Sequence, residues 1–307
     1  MDPLGLDTGV VPEMVPMSGG HSGETFLAQC AGERAVVRIY ADRGLTRGPN
    51  AAEIDAAVLR LVRGLLPVPE VLEVRRADDS AGTPALLVTS WLSGTRLDGI
   101  LPDAEDDLAT AVGRNLGRIL ARLAQMPMLR EGTFLDGELR IGPPPAGVED
   151  LGTWVEACTA GTALGEWPEA DRDGLWAAAD RAQDLLDLTG RACLVHSDFN
   201  PKNILVDRST GEVTGLVDWE FAHAGSPFTD LGNLLRLDRR PAFMDAVLST
   251  YAELVVDAPG DLLDRARAAD LFALVELASR RGRSPVADRA HDLLLAIARS
   301  GDLHAVP

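Results

Sequence analysis

Three polar side chains in the stretch 196–220 have the types and spacing for chemistry on a phosphate. Asp198 and Asn203 stand five positions apart in His196-Ser197-Asp198-Phe199-Asn200-Pro201-Lys202-Asn203-Ile204-Leu205-Val206, and Asp218 follows in Gly215-Leu216-Val217-Asp218-Trp219-Glu220. Phosphoryl transfer asks for few parts. One carboxylate orients the attacking hydroxyl, and hard oxygen donors hold Mg2+ against the phosphates. Asp198 suits the first task, and the Asn203 amide oxygen and Asp218 carboxylate suit the second. The short apolar runs Leu194-Val195, Ile204-Leu205-Val206 and Val213–Val217 read as strands around these residues, and such strands hold loop side chains rigidly. An isolated Asp and Asn at this spacing is common. The flanking strands and Asp218-Trp219 make chance a poor explanation. Lys202, the single lysine of the chain, lies inside the same loop. A compact ammonium beside a transferring phosphate would stabilise its charge. The alternative is a lysine left there by coincidence.

The elements that must position these residues follow two patterns. Segments 26–30 and 35–40 read as strands joined by the turn Ala31-Gly32-Glu33-Arg34. Ala51–Leu66 repeats Ile54, Val58, Leu61, Val62 and Leu65 at helical spacing, and Pro67 and Pro69 end it. Val71–Val74 and Ala85–Ser90 read as further strands around a polar turn at Asp78. From about residue 103 the pattern is helical. Glu105–Gln125 carries Leu108, Val112, Leu116, Ile119, Leu120 and Leu123 on one face. Segments near 150–160, 168–188, 241–256, 261–281 and 285–299 follow. Gly142-Pro143-Pro144-Pro145 is a loop or a stiff connector. The whole reads as a small α+β lobe over 1–92, a connector near 90–95, and a larger, mostly helical lobe over 93–307.

The kinase catalytic loop reads His-Arg-Asp-x-x-x-x-Asn, and Asp198 and Asn203 keep that spacing. Asp218 lies twenty positions after Asp198, where kinases carry the Asp of Asp-Phe-Gly. Taken together, the two segments resemble the aminoglycoside phosphotransferase family, whose usual form is His-Gly-Asp-x-x-x-x-Asn followed by Ile-Asp-Trp-Glu/Asp. The resemblance implies a two-lobed, protein-kinase-like fold. Its small sheet lobe has one main helix and binds nucleotide, and its helical lobe carries catalysis and substrate binding. It also implies ATP (or GTP) and Mg2+, with transfer of the γ-phosphate to a small-molecule hydroxyl. Asp198 then orients or deprotonates the acceptor, and Asn203 and Asp218 are the metal ligands.

Family order implies further landmarks. The loop Ser18-Gly19-Gly20-His21-Ser22-Gly23 would approach the phosphates with backbone N–H groups. Arg38, in Val36-Val37-Arg38-Ile39-Tyr40, stands where the family often has lysine. Glu53 on the following helix would pair with it. Asp55 is the alternative, two residues on and therefore on another side of the helix. Leu86–Gly94 fits a hinge, with backbone groups near Ser90 and Leu92 binding adenine. Asp230 either caps the helix that begins there or supports the catalytic loop. Glu220 is a hypothetical substrate contact.

Composition sets limits on the partner. The chain has 307 residues, 46% of them apolar and 25% charged, as in an ordinary soluble globular protein. With 29 basic against 47 acidic side chains its net charge is −18, which argues against nucleic-acid and anionic-membrane partners. There is no apolar run long enough to span a bilayer and no basic n-region beside Asp2 and Asp7. Cys30, Cys158 and Cys193 fit neither a disulfide framework nor a zinc knuckle, so a cytoplasmic protein with reduced thiols is expected. The acidity favours a cationic acceptor, for which Glu149, Asp150, Glu220, Glu253, Asp257 and Glu276 are candidate contacts. Within the resembling family that means an aminoglycoside, cyclic-peptide or macrolide antibiotic. The runner-up is a metabolite kinase of choline, homoserine, thioribose or glycated-amine type. A rival of a different class is a nucleotide-binding protein without catalysis. No Ala-Pro-Glu follows Asp218, which sets protein-kinase activity aside.

Overall fold

The structure, a computed structural model, describes residues 13–17, 24–30, 32–40, 48–78, 80–145 and 148–307. The chain packs as two compact units. The first takes Met1–Ala104, Phe134–Gly142 and Pro201–Ala222. It holds an antiparallel sheet of β1 (Glu13–Pro16), β2 (Glu24–Cys30), β3 (Glu33–Tyr40), β4 (Val71–Arg75) and β5 (Ala85–Ser90), in the order β1-β2-β3-β5-β4. β3 is central, with Arg38 opposite Thr25 on one side and Leu87 on the other. Helix α1 (Ala51–Val62) buries Ala52, Ala56, Val58 and Val62, and small residues at this spacing let it lie close to its neighbours. It stops short of the expected Leu66 because Gly64 takes φ +79°, a left-handed conformation that glycine adopts freely. Leu61 and Leu65, expected on the inner stripe, are 42% and 52% exposed.

A second small sheet belongs to the same unit, with β6 (Thr95–Arg96), β9 (Ile204–Val206) and β10 (Val213–Leu216) in the order β10-β9-β6. Two hydrogen bonds set it in place. Leu216 N–H donates to the Pro67 carbonyl at 2.7 Å, and Val217 N–H to the Asn203 carbonyl at 3.0 Å. Gly94 takes φ +139°, and a Cβ there would lie 2.3 Å from Thr214 Oγ1. That hydroxyl donates to the Ser93 carbonyl at 2.7 Å, so only glycine fits.

The second unit takes Glu105–Thr133, Pro143–Asn200 and His223–Pro307. Its helices are α2 (Asp106–Ala124), α3 (Leu151–Thr159), α4 (Glu169–Asp187), α5 (Thr229–Leu235), α6 (Pro241–Leu254), α7 (Leu262–Ser279) and α8 (Pro285–Ser300). All the helical segments read from periodicity are present, with ends moved by a few residues at most. A three-stranded sheet of β7 (Pro127–Met128), β8 (Ala192–Val195) and β11 (His223–Gly225) runs in the order β11-β8-β7. Gly113 and Gly117 let α2 approach α6 closely, since Cβ atoms there would lie 2.7 Å from the Phe243 and Val247 carbonyls. Leu151, Val155, Leu175, Leu271, Leu294 and Ile297 form the core of the α3, α4, α7 and α8 packing. Among the described residues no helix is long and apolar enough to cross a membrane.

Cys158 and Cys193 are buried thiols, whereas Cys30 is partly exposed. Burial pushes the Cys158 thiol up to about 11 and the Cys193 thiol to about 12. Both therefore stay protonated and unreactive across neutral pH. A thiol reagent at pH 8 is expected to modify Cys30 alone in the native protein and all three cysteines after denaturation. Rapid native modification of Cys158 or Cys193, read by mass spectrometry, would contradict this packing.

Candidate active site

Arg38 is the centre of the cluster in the first unit. Its side chain, 14% exposed, crosses to the segment that leaves β10. Nη1 donates to Asp218 Oδ1 at 3.0 Å, and Nη2 makes a short contact with Glu220 Oε2. Burial opposes the Arg38 charge, but Glu220, Tyr40, Asp218 and Asp55 together hold its pKa above the ordinary arginine value. Asp218 sits at φ +65°, ψ +57° and starts a 3-10 turn over Trp219–Phe221. Aspartate tolerates this left-handed conformation better than most residues, since its short polar side chain bonds locally. The turn sends Trp219 inward, where its indole N–H donates to the Leu216 carbonyl at 3.1 Å. It also sends Glu220 inward, to 3% side-chain exposure, and leaves Asp218 at 26%. Glu220 therefore faces Arg38 rather than solvent.

The expected pairing of Arg38 with Glu53 does not occur. Glu53 lies in the first turn of α1 and pairs with Arg76 at 2.6 Å. Asp55, two positions on, is rotated by about 200° around the helix. It is the buried one, 4% exposed, and accepts the Tyr40 hydroxyl at 2.6 Å from β3. The cue available in the sequence was the burial stripe, because Asp55 falls between Ala51, Ala52, Val58 and Leu59 on the inner face. A charged cleft at the start of α1, lined by Asn50, Glu53, Arg76, Asp136 and Arg140, contains neither Arg38 nor Asp218. Its Arg76 and Arg140 are already paired with Glu53 and Asp136.

Asn203 ends a 3-10 turn over Pro201–Asn203 and is 5% exposed. Its carbonyl accepts the Val217 N–H, which ties it to the residue just before Asp218. An amide oxygen and a carboxylate are hard donors that fit Mg2+, which needs few protein ligands when phosphates and water complete its shell. Among the described residues no three His, Cys, Asp or Glu side chains group into a self-sufficient metal cage. Lys202 is exposed on the same turn. Ser90 ends β5, where its N–H donates to the Glu70 carbonyl and its Oγ accepts the Glu70 N–H, both at 2.9 Å. The Ser90 N–H is thus already committed. Leu92 follows and packs on Gly215, where a Cβ would lie 2.8 Å from Leu92 Cδ1. Trp91, between them, is covered by the Arg34 guanidinium at 5.0 Å. Ser18, Gly19, Gly20, His21, Ser22 and Gly23 lie outside the described residues.

Asp198 lies in the second unit, in the loop after β8. Its carboxylate accepts the Asn200 side-chain amide, and its carbonyl accepts the Asn200 N–H at 2.9 Å. His196 is 1% exposed, accepts the Asp198 N–H at Nδ1 (3.3 Å), and stacks edge-on against Phe199. Ser197 takes φ +65° at the position where the resembling family carries glycine. Asp230, 2% exposed, holds that bend, as its two carboxylate oxygens accept the His196 and Ser197 N–H groups at 2.8 Å each. Burial pushes the Asp230 carboxyl above its ordinary value, which those bonds and His196 oppose. Of the two roles open to Asp230, the structure shows loop support.

Helix α5 is fixed in turn. A Cβ on Gly232 would lie 2.2 Å from the Ala266 carbonyl, so α5 and α7 are in backbone contact. Asp270 on α7 accepts Asn233 at 3.1 Å and the Arg236 fork at 2.8 and 2.6 Å. Sequence reasoning missed this trio. Its signal was a lone aspartate in the apolar run Ala268-Ala269-Asp270-Leu271-Phe272. The acidic residues offered as contacts for a cation are partly spent. Asp150 accepts the Thr153 N–H at the start of α3, Glu276 pairs with Arg280, and Glu220 with Arg38.

A small antiparallel sheet with a buried arginine on its central strand, joined to a helical unit that carries a braced Asp-bearing loop, is the fold of a kinase-like phosphotransferase. The comparisons agree, and the chain belongs to the phosphotransferase enzyme family, whose description matches residues 13–271. It is thus an enzyme that transfers phosphate, with an α+β protein-kinase-like fold. A thermostable mutant of aminoglycoside phosphotransferase APH(4)-Ia, in ternary complex with AMP-PNP and hygromycin B, superposes with TM-score 0.66 at 20% identity, over 96% of this chain and 97% of that one. The GDP complex of wild-type aminoglycoside 2'-phosphotransferase-IIIa gives 0.67 at 16% identity, over 97% and 95%. Among curated proteins, acyl-CoA dehydrogenase family member 10 of Mus musculus is 25% identical over 71% of this chain. Family member 11 of the same organism is 24% identical over 75%. The chain spans only 20% and 29% of the lengths of these two relatives.

Two variants test the assignments around α1. Asp55→Ala removes the buried carboxylate that accepts the Tyr40 hydroxyl and is expected to cost about 1–3 kcal/mol in urea unfolding. Glu53→Ala removes an exposed pair and is expected to leave the midpoint in place. The opposite ranking would return Glu53 to the inner face. Asp230→Ala leaves two buried loop N–H groups without their acceptor, and a loss of about 2–6 kcal/mol is expected from the same measurement.

Proposed function

We propose that the protein is an ATP- or GTP-dependent O-phosphotransferase, assisted by Mg2+, that moves the γ-phosphate to a hydroxyl of a small cationic molecule. The leading acceptor class is an antibiotic: an aminoglycoside, a cyclic peptide or a macrolide. The observation that carries the reading is Arg38, a guanidinium held charged between Asp218 and Glu220 and one residue's reach from the Asn203 turn. Such a fork is suited to phosphate oxygens. Asp198 accepts the acceptor's hydroxyl hydrogen bond and aims its oxygen, and the Asn200 amide fixes the carboxylate for that task. Asn203 and Asp218 would hold Mg2+, which when bound offsets charge on the transferring phosphoryl group. Lys202 is assigned to the same charge, from the turn that presents Asn203. The hinge backbone at Leu92 and the loop 18–23 complete the nucleotide contacts in this reading, in a cytoplasmic protein with reduced thiols.

The cationic acceptor is supported by the net charge of −18, since a negative field concentrates cations. Hygromycin B in the similar APH(4)-Ia complex supports the antibiotic class. A second reading, a metabolite kinase of the same fold, is favoured by the mouse relatives, whose names are those of acyl-CoA dehydrogenase family members.

The test is nucleotide turnover, followed as ADP or GDP release, over a panel of aminoglycosides, macrolides, cationic cyclic peptides and small amino alcohols. Stimulation by the first three classes supports the antibiotic reading, and stimulation by the last supports the metabolite reading. Asp198→Ala is expected to lose at least about 100-fold in turnover with the active acceptor. Wild-type turnover in that variant would refute the mechanism.

A further inference from the structure

We infer that Glu220 is the positioning carboxylate of the nucleotide site, doing for Arg38 what family order assigns to Glu53, and that the Arg38–Asp218 bond is the one released when nucleotide and metal bind. The inference rests on the reading of Arg38 as the phosphate-binding cation.

The two carboxylates that Arg38 touches are not equivalent. Glu220 is 3% exposed and Asp218 26%. Taking Arg38 away from Glu220 would remove the paired cation from a carboxylate that is 3% exposed, a costly change. Taking it away from Asp218 exposes that carboxylate to water or to a cation, which is what a metal ligand requires. The guanidinium has five N–H donors in a planar fork, so it can keep Glu220 on one edge while another edge turns to phosphate. A lysine has no such fork. Glu53 is spent on Arg76, and Asp55 serves the Tyr40 hydroxyl.

The sequence places both carboxylates two residues apart, Asp218 at the left-handed start of a 3-10 turn and Glu220 within it. Any movement of that turn shifts the anchor of Arg38 together with the metal ligand. Arg38 is bonded to Asp218, so the guanidinium and a divalent cation would compete for one carboxylate. Nucleotide resolves the competition by giving Arg38 a new anion.

The experiment is a double-variant cycle on the full chain with Arg38→Gln, Glu220→Gln and both together, after circular dichroism confirms the fold. Two quantities are read. One is the ATP dissociation constant by calorimetry in EDTA. The other is Mn2+ affinity without nucleotide, by electron paramagnetic resonance. Glu220→Gln is expected to weaken metal-free ATP binding about tenfold or more, and to add less than about twofold in the Arg38→Gln background. Arg38→Gln is expected to tighten Mn2+ binding, because Asp218 loses its competitor. Glu220→Asp should recover part of the ATP affinity, which a general packing role would not give. Multiplying losses in the double variant would overturn the inference. So would a Glu220→Gln variant with weaker Mn2+ binding and unchanged metal-free ATP binding, which would make Glu220 a metal ligand. If Glu220→Gln alone does not fold, the double variant and Glu220→Asp decide by the same criteria. If Arg38→Gln leaves ATP binding unchanged, the phosphate-binding reading fails, and with it the basis of the inference.

Discussion

A guanidinium buried on the central strand of a sheet is tolerable only with carboxylates around it, and the arrangement of the first unit follows from that requirement at Arg38. Asp218 and Glu220 can both reach it only because the chain reverses at Asp218 in a left-handed conformation. The reversal is held by Trp219, whose indole bonds the Leu216 carbonyl and whose ring is 3% exposed. Leu216 and Val217 in turn bond Pro67 and Asn203. A single charge-pairing constraint thus fixes the β9–β10 hairpin against the sheet unit and brings Asn203 into line with Asp218. The stabilisation is not in the ion pairs themselves, whose desolvation roughly offsets their attraction. It lies in the large cost of any conformation that would leave Arg38 or Glu220 buried and alone.

The second unit solves a related problem with a carboxylate and amides. The loop that carries Asp198 bends at Ser197 with φ +65°, a conformation costing roughly 1–2 kcal/mol for a residue with a Cβ. Two N–H groups at the bend would be buried without acceptors, and Asp230 supplies both. Such a bond pair is useful only if Asp230 is itself immobile. Gly232 against Ala266, and Asn233 and Arg236 on Asp270, provide that immobility. Arg236 is 7% exposed. Burial opposes its charge, and Asp270 more than restores it, with Asp198 adding to the effect. The helix pair α5–α7 is therefore part of the apparatus that places Asp198.

Most of the fold was legible in the sequence because long periodic segments announce themselves. α2 keeps one apolar face for nineteen residues, and β3 and β5 are apolar runs between turn signals. β1, β6, β7 and β11 were not legible, as strands of two to four residues show no period. Among the candidate site residues, Asp198, Asn203 and Asp218 were singled out by spacing, whereas the partners the structure gives them were not. Glu53 was preferred over Asp55 because family order locates a helix but not its rotation, and rotation is decided by which residues the sheet buries. The pairing of Glu220 with Arg38, and Asp270 altogether, escaped for the same reason. A charged residue whose partner lies on another element leaves no local pattern, only a break in an apolar run.

The acidic, arginine-rich composition acquires a partly structural explanation from these pairs. Arg38, Arg236 and Arg267 are all nearly buried, and Arg299 grips Asp171 with both edges of its fork. Arg38 and Arg236 sit where a cation must stay charged when largely desolvated and satisfy two acceptors at once. Arginine meets both conditions and lysine neither, since a buried ammonium readily loses its proton. Arg267 shows the margin available, for burial pushes its pKa to about 10 and it is still charged at neutral pH. Genome bias alone would scatter arginine without regard to burial, and solubility alone would keep it at the surface. Lys202 stands apart because its position is exposed, on the turn that carries Asn203. A flexible point charge there avoids a desolvation cost that arginine is elsewhere needed to bear.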